Sequence, residues 1–190
     1  MKLQAVFTRD ELVSFASQWL PLKVLLGDPS NEDRYLLLSE PKAIELVPGA
    51  GLRLSCRAQI RWPVLGMSVP ITARHMSVLV RPLIETLEGR LALVFRVRLE
   101  QADLSAVPAR LDATIRDAIN RALTERIKPA WKFGSMLSRS IPMPVVITTT
   151  DTIELGVDQA RADVTEDGFV FELHIQAGTT RRRLTMTDPR

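Results

Sequence analysis

The chain has 190 residues, enough for one well-buried domain and awkward to divide into two. Hydrophobic residues are 46% and charged residues 25%, an ordinary globular composition that excludes a disordered chain. The net charge is only +3 and aromatics are 5%, which argues against a nucleic-acid domain, where bases cluster among aromatics.

The single cysteine, Cys56, rules out an internal disulfide. No segment approaches the ~20 apolar residues of a membrane-spanning helix. The start, MKLQAVFTRDEL, lacks the apolar stretch of a secretory leader. The expectation is a cytoplasmic protein, or a periplasmic one whose leader has been removed.

Residues 8–26 predict a first helix. Thr8 and Glu11 have capping-box spacing, and Leu12, Phe15, Ala16 and Trp19 give it one apolar face. Val24–Leu26 after Pro21 fit a last turn or a short strand. Gly27-Asp28-Pro29-Ser30-Asn31 is a turn. The period then changes to two. Short runs at 35–38 and 43–47 precede a regular strand in which Leu52, Leu54, Cys56, Ala58, Ile60 and Trp62 alternate with Arg53, Ser55, Arg57, Gln59 and Arg61. That alternation predicts a half-buried antiparallel strand with a solvated arginine row.

Residues 63–70 read as a connection, because they hold two prolines and Gly66. Residues 71–84 and 90–104 read as a long hairpin with apolar residues on both faces near its middle.

Residues 104–129 carry the longest clean helical pattern. Leu111, Ile115, Ala118, Ile119, Ala122, Leu123 and Ile127 fall on one stripe, with charged residues opposite. Ser105 is the expected N-cap, Pro108 suits a first turn, and Pro129 closes the pattern. From 108 to 128 such a helix is roughly 30 Å long. Burying its stripe contributes on the order of 10–20 kcal/mol before chain entropy is subtracted.

The stretch 130–144 is irregular but apolar, with Trp131, Phe133, Met136, Leu137, Ile141 and Met143, and is expected to pack over a rim of the core or line a ligand entrance. Residues 145–164 and 169–176 form a last hairpin around the Asp167-Gly168 turn, and 179–190 is a basic tail.

No phosphate-binding loop, dinucleotide fingerprint, zinc-protease motif or hydrolase elbow is present. His75 and His174 lie far apart on strands, and the carboxylates Asp163, Glu166 and Asp167 belong to a turn. The expectation is a protein that is not an enzyme and carries no cofactor or metal.

The ladder MSVLVRPLIETLEGRLALVFRVRLEQADL, followed directly by the helix VPARLDATIRDAINRALTERI, resembles the tubular lipid-binding (TULIP) superfamily. The resemblance is one of pattern and order across most of residues 8–176. It implies an α+β fold: a long, highly curved antiparallel sheet wrapped around one long amphipathic helix, with an additional N-terminal helix. It implies a single domain over 1–178, ahead of the tail. It also implies an elongated apolar channel for a fatty acid or phospholipid. The family fixes a channel rather than a motif, so the lining is read from the surplus apolar surface of the helix stripe and strand faces: residues such as Leu93, Phe95, Val97, Ile115, Ile119, Leu123, Phe171 and Leu173. A rival expectation is a non-enzymatic interaction or assembly module with a filled core, whose strand edges pair with another chain as in a homodimer. Contact of the arginine rows with a membrane surface is a third.

Overall fold

The structure is a computed structural model, and it describes residues 1–28, 33–64, 67–104, 107–127, 129–137, 139–142 and 151–181. Antiparallel strand accounts for 62% of it and helices are few, so a strongly curled, half-barrel sheet sets the shape.

Strand β1 (Lys2–Phe7) leads into helix α1 (Arg9–Trp19), and β2 (Leu22–Leu25) follows. Then come β3 (Tyr35–Val47), β4 (Gly51–Val64), β5 (Met67–Leu87) and β6 (Arg90–Ala102). Helix α2 (Ala109–Arg126) follows, then β7 (Ala130–Trp131), α3 (Phe133–Leu137), β8 (Arg139–Pro142), β9 (Asp151–Val164) and β10 (Phe169–Arg181). They form a four-stranded sheet in the order β1-β10-β9-β8 and a six-stranded sheet in the order β2-β3-β4-β5-β6-β7.

β1 has no counterpart in the sequence reading, because the strand it pairs with, β10, lies at the far end of the chain. The expected connection at 63–70 is instead the end of β4 and the start of β5, paired from Trp62↔Val69 to Val64↔Met67. β10 continues past the expected boundary at 178 through Arg181, so residues 179–181 belong to the ladder with β9 rather than to a tail. Ser105, Lys128, residues 143–150 and residues 182–190 lie outside the described residues.

The long strands keep one face inward by bulging. On β5, Ile71 and Ala73 face in, as do Met76 and Val78, although the two pairs differ in parity. The register shift between Cys56 and Ala58 sets the extra β5 residue there. On β6 the shift at Ser77/Val78 does the same for Leu99 and Ala102. Each bulge also adds twist, which helps a long sheet curl.

The inward face divides into two clusters. The first joins the buried stripe of α2, Ile115, Ile119, Ala122 and Leu123, to residues of β2, β3, β4, β5 and β6. α2 itself packs chiefly on β6 and touches β2, the two strands near the ends of the larger sheet's order. The second lies between the two sheets and takes in Leu12 of α1, Leu52, Leu93, Phe133 and the β10 row Phe169, Phe171 and Leu173. Leu54 and Val80 pack against both clusters.

α2 is held by polar contacts as well. The Leu99 N–H, on the side of β6 that short β7 leaves open, donates to Asn120 Oδ1 at 2.9 Å. Arg116 bonds Asp112 at 2.9 Å and also donates to the Ala102 carbonyl, while Arg126 donates to the carbonyls of Leu25 and Gly27.

Candidate functional site: an aromatic seam between the sheets

The eight residues expected to line one channel are shared between the two clusters. Val97, Ile115, Ile119 and Leu123 belong to the cluster under α2. Leu93, Phe171 and Leu173 belong to the inter-sheet cluster, with half-buried Phe95 packed against it. Ile115, Ile119 and Leu123 are 0% exposed, so they are close-packed against protein on all sides. A ligand on that stripe would have to displace packed side chains, at a cost that close-packed cores make high.

The inter-sheet cluster differs because it reaches the surface through aromatic rings. Phe169 stacks with Phe7 at 5.8 Å and meets Phe95 at 6.3 Å. Phe171 meets Phe133 edge-on at 5.1 Å and Trp131 at 5.4 Å. Phe133, Phe169 and Phe171 are buried, whereas Phe7 and Trp131 are 39% and 42% exposed. The rings therefore run from the core to solvent in two groups, Phe7–Phe169–Phe95 and Phe133–Phe171–Trp131, where β10 of one sheet meets β6, β7 and α3.

Local sequence places each ring. Phe169 and Phe171 alternate with Val170 and Glu172 on β10, so both point inward. Trp131 pairs with Leu93 at the edge of the larger sheet. Phe133 opens α3, where Gly134 lies against β6. A Cβ on Gly134 would come within 2.7 Å of the Leu91 carbonyl oxygen, so only glycine allows that approach.

The sequence pattern marks Trp131 and Phe133 for a rim, and Phe171 for a channel wall. Phe7 escaped it, since the strand that carries it was not recognised. The apolar face expected of α1 is split: Leu12 is buried, while Phe15 and Trp19 are exposed.

Polar chemistry lies elsewhere. On the convex face Arg53 bonds Glu100 at 2.6 Å and Glu45 at 2.8 Å, which holds its guanidinium more firmly protonated than usual. Arg57 and Arg61, its companions in the expected row, are exposed. A polar recess of about 170 Å³ on the smaller sheet is lined by Arg161, Asp163, Thr165, Val170 and Glu172. Among the described residues no three His, Cys, Asp or Glu side chains gather to hold a metal ion. Among them, too, no helix is long and apolar enough to cross a membrane.

Compared with known proteins, the chain matches no protein-family model and no curated protein.

Proposed function

We propose that the chain binds an apolar ligand, a fatty acid or phospholipid, and that the aromatic seam is its way in. On this reading the curled sheet around α2 is an α+β arrangement like that of the TULIP superfamily. The ligand lies between the sheets against Leu93, Phe95, Phe171 and Leu173. The stripe of Val97, Ile115, Ile119 and Leu123 backs the sheet that holds it.

The observation that carries the proposal is the ring-to-ring contact of buried Phe133 and Phe171 with half-exposed Trp131. Exposed aromatic surface continuous with a core is costly in water, and an acyl chain laid along it would recover about 25 cal/mol for each Å² of apolar area covered.

The test is organic extraction and native mass spectrometry of the purified chain, together with titration by a fluorescent fatty acid. The expected result is bound lipid, or uptake that quenches Trp131 and weakens in Trp131→Ala. The absence of both bound lipid and uptake in the wild-type chain overturns the proposal.

The complete burial of Ile115, Ile119 and Leu123 favours a second reading, an assembly module whose core is full. It predicts no uptake and a self-associating chain.

A further inference from the structure

β1 is the outermost strand of the four-stranded sheet, and all six of its residues are exposed. Among the described residues, six of the eight exposed large apolar side chains fall near it in sequence: Met1, Leu3, Val6, Phe7, Phe15 and Trp19.

The hydrogen bonds on its inner side fix what its outer side offers. The Met1 ammonium donates to the Ile175 carbonyl at 2.7 Å, and the Ile175 N–H donates to the Met1 carbonyl at 2.8 Å. In an antiparallel ladder, pairs that exchange both bonds alternate with pairs whose backbone groups point away. The β1–β10 register runs unshifted from Lys2↔His174 to Phe7↔Phe169. Met1, Leu3, Ala5 and Phe7 thus direct their backbone groups to β10. The N–H and C=O groups of Lys2, Gln4 and Val6 point to the open side.

We propose that β1 pairs antiparallel with β1 of a second copy of this chain, about a two-fold axis through Gln4. Such an axis stands normal to the sheet and keeps each face on its own side, so residues that meet share parity. Gln4 meets Gln4 of the second copy, and Lys2 meets Val6. Every outward N–H and C=O of these three residues is then bonded.

On the inner face Leu3 meets Ala5 and Met1 meets Phe7, which joins the apolar rows of the two copies into one stripe. No like charges meet, because Lys2 lies opposite valine and pairs with Glu172 of its own chain at 3.0 Å. This self-complementarity is what selects a second copy as the occupant. It also disposes of an exposed strand edge, which is otherwise an aggregation hazard. The pairing holds whether or not the seam takes a ligand.

Light scattering on the full chain, purified with Met1 as its N-terminus, tests it. The expected mass is twice the 21.3 kDa of one chain. Gln4→Pro deletes an N–H that the β1–β10 ladder does not use, a position where an edge strand tolerates proline, so this variant melts like wild type but stays a monomer. Gln4→Lys and Gln4→Glu each set like charges side by side across the axis. Each is monomeric alone, and mixing the two restores the dimer. A wild-type chain of single mass, a Gln4→Lys chain that dimerises as well as wild type, or a mixture that stays monomeric overturns the proposal. Should Gln4→Pro unfold, the mixture decides.

Discussion

Cys56 shows how completely the larger sheet seals its inner face. Its side chain is 0% exposed, and burial pushes the thiol up to about 11 against a slight opposing pull from Lys42. A raised pKa in the folded state means that the folded chain holds this proton where the unfolded chain has lost it. The contribution to stability is therefore intact below the thiol's ordinary value of 9.0 and is lost as pH climbs toward about 11. Denaturant melts of wild type and Cys56→Ala across that window should converge as pH rises, and a parallel pair of curves would contradict this. Native chain should also resist thiol alkylation at neutral pH until it is unfolded. Asn120 makes the complementary point for polar groups. Its side-chain oxygen takes the one N–H of Leu99, in a partly buried site. Asn120→Ala strands that donor and should cost roughly 1–3 kcal/mol by chemical denaturation. A loss within error of zero would mean that water replaces the amide.

The elements show which signals sequence carries and which it does not. At the start of α1, Thr8 N–H donates to Glu11 Oε2 at 2.8 Å and the Thr8 hydroxyl donates to the same oxygen at 2.9 Å. These bonds, the backbone one first, draw the Glu11 carboxyl below its ordinary value. A depressed carboxyl supports the fold at neutral pH and loses that effect as pH falls through its folded-state value. Thr8→Ala should cost about 1 kcal/mol at pH 7 and less in acid, read from melts at both. This cap was legible because its residues sit three apart. The inward row of β4 was legible for a like reason, with side chains two apart.

Prolines misled the sequence reading. Pro63 lies beyond Arg61, where β3 ends, and Pro70 lies beyond Met76, where β6 ends. Each occupies a stretch with a neighbour on one side only, where a missing N–H need not cost a bond. Both prolines, punctuation in sequence, thus lie within paired strands in space. Bulges leave no mark in the sequence either. The extra residue at Asp158 lets Val157 and Ala160 pack on one cluster despite their opposite parity. Of the candidate site, rings near one another in sequence could be grouped, as Trp131 and Phe133 were. Phe7 could not be joined to Phe169, since only the pairing of chain ends brings them together.

At the scale of the molecule the question is whether two clusters make one cooperative unit. β4, β5 and β6, with 14, 21 and 13 residues, each contribute to both clusters. Leu54 and Val80 join the clusters directly, so neither can lose its order without loosening strands that the other needs. The chain carries a native probe for each. Trp62 is buried in the cluster under α2, and Trp131 lies on Phe171 at the seam. Two single-tryptophan chains, with the other two tryptophans changed to phenylalanine, should give coincident denaturant midpoints by fluorescence, as a two-state domain requires. A Trp131 transition that comes clearly first would mean that the sheets part as a local event. Ligand separates these outcomes further. A fatty acid bound only by the folded chain at about a hundred times its dissociation constant stabilises by about 2.7 kcal/mol. If the molecule is one unit, that gain should move both probes together, although the proposed ligand would touch only the seam. If only Trp131 responds, the sheet interface is an independent gate, and entry costs the opening of that interface rather than of the whole fold.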